Sequence, residues 1–212
     1  MVVEAARLPP LDAALESADI VAPDGMPLVW VGRAKGFAVQ RVCGPDFMPA
    51  LLDRGRAAGR RHFFYGGMEG VAARLATAMQ ARFPGVHVVG MFTPPFRPLD
   101  DREKDEIAAL INDARPDYVW VGVSTPKQDP WAAEQRPRLN ASAILAVGAA
   151  FDFHAGLRRR APRWMQRAGL EWLFRLLSEP HRLGVRYTVT NLRFLGLLLR
   201  DAIRPCRVAS TR

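Results

Sequence analysis

Between Ala18 and about Phe153 the chain alternates short runs of β-branched or aromatic residues with longer stretches of helical period. The apolar runs are Asp19–Val21, His62–Tyr65, Val86–Val89, Tyr118–Val123 and Ala143–Val147, with helix-period segments such as Val71–Phe83 and Lys104–Ala114 between them. Runs that are apolar on both faces and separated by helices predict a parallel sheet covered on both sides. The expected fold is therefore a doubly wound, Rossmann-like α/β layer over residues 1–156. Ligands of such a sheet bind outside the carboxyl ends of its strands. Asp24-Gly25, Gly66-Gly67, Met91-Phe92-Thr93, Ser124 to Gln128 and Gly148 to Asp152 each follow one run, so all five are expected along one edge.

After Gly156 the pattern becomes helical and arginine-rich, punctuated by Pro162, Pro180 and Pro205, which predicts a basic helical appendage over 157–212. Arginines at 186, 193, 200 and 207, with Arg204 beside them, fall within roughly a 60° arc of one helix. Leu192, Leu195, Leu199 and Ala202 lie opposite.

Charge sharpens that division. The 212 residues are 49% apolar and 24% charged, as in a folded globular protein, with a formal net charge of +9. Residues 1–150 carry equal numbers of basic and acidic side chains, whereas 151–212 carry 13 arginines against Asp152, Glu171, Glu179 and Asp201. A neutral body with a basic end suggests an anionic partner: a phosphate-bearing ligand, nucleic acid or the acidic face of a membrane. Cys43 and Cys206 match no metal or redox spacing, and a reducing compartment fits them. The N-terminus has no signal-peptide pattern, and the longest apolar stretch, Ala143 to Phe151, is too short to cross a bilayer.

Each candidate group has an ordinary reading beside a functional one. Gly66 and Gly67 allow a backbone to approach a phosphate, and equally allow a tight turn for conformational reasons alone. Asp24 is placed to cap the following helix, or to act as a general base toward a hydroxyl; the cap preference of aspartate favours the first. Lys127 and Gln128 end a strand and either contact a ligand or face solvent. Asp152, flanked by Phe151 and Phe153, either caps a turn or holds ribose hydroxyls. The four histidines are isolated from other ligating residues, and no Asp-x-Asp pair is present to hold a metal on a diphosphate. Diphosphate charge would then fall to arginines, whose planar donors suit it. In the basic region Arg158 to Arg160, Arg163 and Arg167 alternate with Trp164, Trp172 and Tyr187, a mixture suited to a solvated face, an anionic bilayer or nucleic acid.

Ordered blocks carry a specific resemblance. Ala18 to Pro27, Arg41-Val-Cys-Gly-Pro-Asp46, Phe63 to Gly67, Pro116 to Gly122, Pro126-Lys-Gln-Asp129, Gly148 to Gly156, Arg160-Ala-Pro162 and Gly169 to Arg175 with Glu179-Pro180 resemble the WecG/TagA/CpsF glycosyltransferases, glycosyltransferase family 26. That resemblance implies inverting transfer of a hexose or N-acetylhexosamine-type sugar from a UDP-sugar to a polyprenyl-diphosphate-linked acceptor, in bacterial surface polysaccharide synthesis. It implies that Asp24 is the catalytic base, reversing the order suggested by capping, and that Gln128 is an active-site glutamine. It further makes Asp152 a nucleotide contact and Arg175, with Arg182 and Arg186, part of an appendage that closes over the nucleotide. Gly66, Gly67 and Lys127 complete the expected substrate-binding set. Asp129 stands where the family usually has glutamate.

Members usually begin with a further strand and a turn bearing a Thr-Pro-Asn type motif, and the resemblance places Met1 in the helix that follows it. The implied mechanism is direct displacement without metal or cofactor, at the inner face of the cytoplasmic membrane, with UDP charge met by arginine and backbone donors. Self-association is left open. A nucleic-acid-binding module and an inactive, truncated family member are the alternatives.

Overall fold

A computed structural model of the chain describes residues 1–178 and 180–203. The chain forms two compact units, one of Pro10–Arg160 and one of Met1–Pro9 with the residues from Ala161 onward.

The first unit is built on four parallel strands, β1 (Arg61–Gly66), β2 (His87–Phe92), β3 (Tyr118–Gly122) and β4 (Ala143–Ala146), in the order β2-β1-β3-β4. The short α1 (Val2–Ala5) belongs to the other unit; α2 (Pro9–Glu16), α3 (Met26–Ala34) and α4 (Gly44–Gly55) precede the sheet. Between and after the strands come α5 (Val71–Arg82), α6 (Asp101–Asp113), α7 (Gln128–Gln135) and α8 (Ala150–His154). Alternation along the central strands divides the interior in two. Phe64 and Trp120 point to one face and pack with Met48 and Leu52 of α4, Leu75 and Met79 of α5 and Phe151 of α8. Phe63, Tyr65, Val119 and Val121 point to the other and pack with Ile107 and Ile111 of α6. Apolar runs on β1 and β3 are thus explained by burial on both faces, as a doubly wound sheet requires.

Two sequence expectations change. Asp19–Val21 is not a strand: Ile20 is 86% exposed and no described strand pairs with the segment. Apolar alternation stabilises a strand only through neighbours that accept its ladder, and this run has none. The helix expected from Lys104 starts three residues earlier, because Asp100 accepts from the Glu103 N–H at 2.7 Å while the Glu103 carboxylate accepts from the Asp100 N–H at 3.0 Å. This reciprocal capping box fixes the helix start ahead of its first apolar residue.

The second unit contains α1, α9 (Arg163–Arg167), α10 (Glu171–Ser178) and the long α11 (Pro180–Ile203). Within it α1 and α10 pack on α11, and Val3 and Ala5 are buried. Leu192, Leu195 and Leu199 are exposed on α11. Arg193 and Arg200 lie on α11; Arg204 and Arg207, the rest of the expected stripe, fall outside the described residues, as do the side chains of Arg186 and Ala202. Among the described residues no helix is long and apolar enough to cross a membrane.

Candidate active site at the carboxyl edge of the sheet

Because all four strands are parallel, their carboxyl ends share one edge, and a set of short contacts stitches the following loops together. The Gly67 N–H donates to the Gly122 carbonyl at 3.1 Å, joining the ends of β1 and β3. Thr93 Oγ1 lies 3.5 Å from the Gly66 carbonyl, at the end of β2. Val147 and Gly148 N–H groups donate to the Val121 carbonyl at 3.0 and 3.2 Å, so the end of β4 is held on β3.

Gly66 and Gly67 both need the conformational freedom of glycine. Both have positive φ, and a Cβ on Gly66 would lie 2.8 Å from the Gly122 carbonyl carbon.

Gln128 opens α7 and is buried at the same edge. Its amide sits over Gly148, where an added Cβ would be 3.0 Å from Gln128 Oε1. That oxygen has no hydrogen-bond partner among the described residues. A buried amide oxygen left unpaired is costly, and a strand-end crevice is where a ligand donor would repair it. Beside it, burial raises the Asp129 carboxyl above its usual range, partly offset by a hydrogen bond from Gln128. Lys127 is exposed, with its ammonium 4.8 Å from the centroid of the Phe96 ring.

Asp24 does not cap the next helix. Gly25 is the N-cap of α3, which has no side-chain cap hydrogen bond. The Asp24 carboxylate is 68% exposed and faces Arg41, whose Nη2 lies 3.6 Å from Asp24 Oδ1 while Arg41 Nε donates to the Asp24 carbonyl at 2.7 Å. Arg41 was visible only as part of a matched block; its pairing spans 17 positions and a loop, which no local pattern reveals.

Asp152 lies in the first turn of α8 and pairs with Arg158, Nε to Oδ2 at 3.1 Å, and its carbonyl accepts from the Leu157 and Arg158 N–H groups of the following turn. In the second unit Arg175 donates to Glu171 Oε1 at 2.8 Å, one turn back along α10. The side chains of Arg182 and Arg186 lie outside the described residues. The structure therefore brings Gly66, Gly67, Lys127, Gln128 and Asp152 to the strand ends of the first unit and gives Asp24 an arginine partner; Arg175 is described within its own unit. No cluster of ligating side chains suited to a metal occurs among the described residues.

Comparison with known proteins adds what geometry alone does not. Over 182 residues the chain is 34% identical to an N-acetylglucosaminyldiphosphoundecaprenol N-acetyl-beta-D-mannosaminyltransferase of Bacillus spizizenii (strain ATCC 23059 / NRRL B-14472 / W23), covering 84% of this chain and 68% of the relative. A protein of the same description from Bacillus subtilis (strain 168) is 29% identical over 169 residues, covering 79% of this chain and 64% of the relative. The chain thus spans about two thirds of the length of these relatives. The family model for WecG/TagA/CpsF glycosyl transferases matches residues 1–207, and the chain belongs to that family.

Proposed function

We propose that the chain transfers an N-acetylhexosamine-type sugar, N-acetylmannosamine in the first instance, from a UDP-sugar to a polyprenyl-diphosphate-linked N-acetylglucosamine. The observation that carries this reading is the exposed Asp24 carboxylate held beside Arg41 in a chain whose relatives are named for that transfer.

In this reading Asp24 takes the proton of the acceptor hydroxyl as its oxygen attacks the anomeric carbon. The bond from that carbon to the UDP oxygen breaks with inversion, and UDP carries away the electron pair. Arg41 orients Asp24. Gln128 offers its unpaired carbonyl oxygen to a sugar or nucleotide donor group, and Asp152 meets the ribose. Arg175, with Arg182 and Arg186, stabilises charge on the leaving diphosphate. The outward leucines of α11, with its arginines, suit a helix lying on an anionic bilayer, where the lipid-linked acceptor resides.

The test is UDP release from a panel of UDP-sugars with N-acetylglucosaminyl-diphospho-polyprenol, with and without chelator. Turnover with UDP-N-acetylmannosamine, and a fall of about 10²–10⁴-fold in Asp24→Asn, are expected. Wild-type turnover in Asp24→Asn would remove the base, and silence with every donor would remove the activity.

A further inference from the structure

The start of α4 is gripped from three sides. Asp46 accepts from both terminal nitrogens of Arg160, Nη1 to Oδ1 and Nη2 to Oδ2, the latter at 3.0 Å. Cys43 Sγ donates to Asp46 Oδ2 at 2.9 Å, and Arg160 Nη2 lies 3.6 Å from the same sulfur. His154 Nε2, on α8, lies 2.9 Å from the Pro45 carbonyl oxygen, to which an N–H there donates. Between these grips Gly44 rests directly on the sheet, since a Cβ at that position would lie 2.7 Å from the Val147 carbonyl oxygen. The cluster is electrostatically consistent: the Arg160 guanidinium holds Asp46 down to about 2, while burial, with Asp46 as acceptor, pushes the Cys43 thiol up to about 12.

The same segment reaches Asp24 at its other end. The Val42 N–H donates to the Pro23 carbonyl at 3.0 Å, and Arg41 makes its two contacts with Asp24. Residues 18–25 belong to no described helix or strand, and Ile20 and Val21 are exposed. Residues 41–46 are accordingly a bridge between Asp24 and the sheet.

We infer that Arg160 and Asp46 form a positioning clamp. By seating residues 41–46 on the end of β4, the clamp fixes Arg41 and, through it, the Asp24 carboxylate at the carboxyl edge of the sheet. Neither residue touches reacting atoms; both act through Arg41 and Asp24, so the inference rests on the reading of Asp24 as the base. Two parallel N–H···O contacts set an orientation as well as a distance, which a lysine ammonium does not reproduce. A proton acceptor displaced by about 1 Å loses on the order of 10²-fold in rate, so a remote clamp has a large lever.

The experiment uses the full chain in a Cys206→Ser background and compares Arg160→Lys, Arg160→Gln and Asp46→Asn with Arg102→Gln, a control in an exposed ion pair on α6. Three readouts are taken. The carbon-13 carboxyl resonance of Asp24, assigned by its loss in Asp24→Asn, is expected to move in the clamp variants and not in the control. Labelling of Cys43 by an aromatic disulfide is expected to quicken about tenfold or more once Asp46 and Arg160 no longer cover it. Turnover is expected to fall about tenfold or more with donor KM within about threefold, and adding Asp46→Asn to Asp24→Asn should cost nothing further.

An unmoved Asp24 resonance in a folded variant, or losses that multiply in the double variant, would overturn the clamp. Should Asp46→Asn fail to fold, Arg160→Lys, which keeps the charge, carries the same comparison. A wild-type chain without turnover would count against the proposed activity alone, because resonance and labelling still decide the clamp.

Discussion

The two units of the molecule solve opposite problems. In the sheet unit the large apolar side chains are enclosed: Phe64, Trp120 and Phe151 are fully buried between α4, α5, α8 and the sheet, with Phe63 and Val121 buried on the other face. In the helical unit Trp164, Trp172 and Leu177 are exposed, and so are Leu192, Leu195 and Leu199 along α11. A single exposed leucine needs no explanation, but a stripe of them opposite the arginines of a long helix does. The difference teaches that one unit carries its stability inside, whereas the other displays apolar side chains that the proposed bilayer contact would cover.

The comparison is easiest to break at the centre of the sheet. Trp120→Ala removes the largest fully buried side chain and is expected to cost ~3–5 kcal/mol of stability, read as a lowered urea midpoint. A midpoint unchanged by that substitution would mean the sheet unit is not held by its interior.

A second measure is pH. Trp120 Nε1 donates to His62 Nδ1 at 3.1 Å, so His62 is neutral in the folded chain, and burial lowers its pKa from 6.5 to about 4. The unfolded chain binds this proton first as pH falls. The His62 contribution is therefore intact above about pH 6.5 and is lost progressively down to about pH 4, about 3 kcal/mol in all. Urea titrations across that interval should show the decline, and His62→Gln should flatten it.

The smallest expected effect on folding is in the helical unit, where it is paired with an effect on binding. Changing Leu192, Leu195 and Leu199 together to serine should leave the sheet unit's stability, read from its urea transition, within ~0.5 kcal/mol. Cosedimentation with vesicles containing phosphatidylglycerol should nevertheless fall about tenfold or more, since buried apolar area drives interfacial binding. Equal vesicle binding by the variant would remove the reason given for the exposed stripe.

Much of the sheet was legible because its signal is local. Continuous apolar runs marked β1 to β4, and glycines at strand ends marked the turns that follow. Asp19–Val21 looked the same and failed, since a strand is defined by a neighbour that the run itself does not encode. The start of α6 was missed because Asp100 and Glu103 define it by side-chain hydrogen bonds ahead of the apolar period. At the site, residue types at strand ends pointed to Gln128 and Asp152, and family resemblance pointed to Asp24. What neither supplied was pairing. Arg41 with Asp24, and Arg160 with Asp46 across 114 positions, meet only because the fold brings separate chain segments together.

The hydrogen bond between Trp120 and His62 also gives the molecule an optical gauge. Trp120 is fully buried and Trp131 half-buried against Tyr65, whereas Trp30, Trp164 and Trp172 are exposed, so in a Trp131→Phe background the emission of Trp120 is expected at the short-wavelength side of the spectrum. An imidazole that gains a proton becomes a cation against the indole and can no longer accept its N–H. Loss of the blue component on acidification, ahead of any change in backbone dichroism, would time the arrival of a proton in the core before the sheet comes apart.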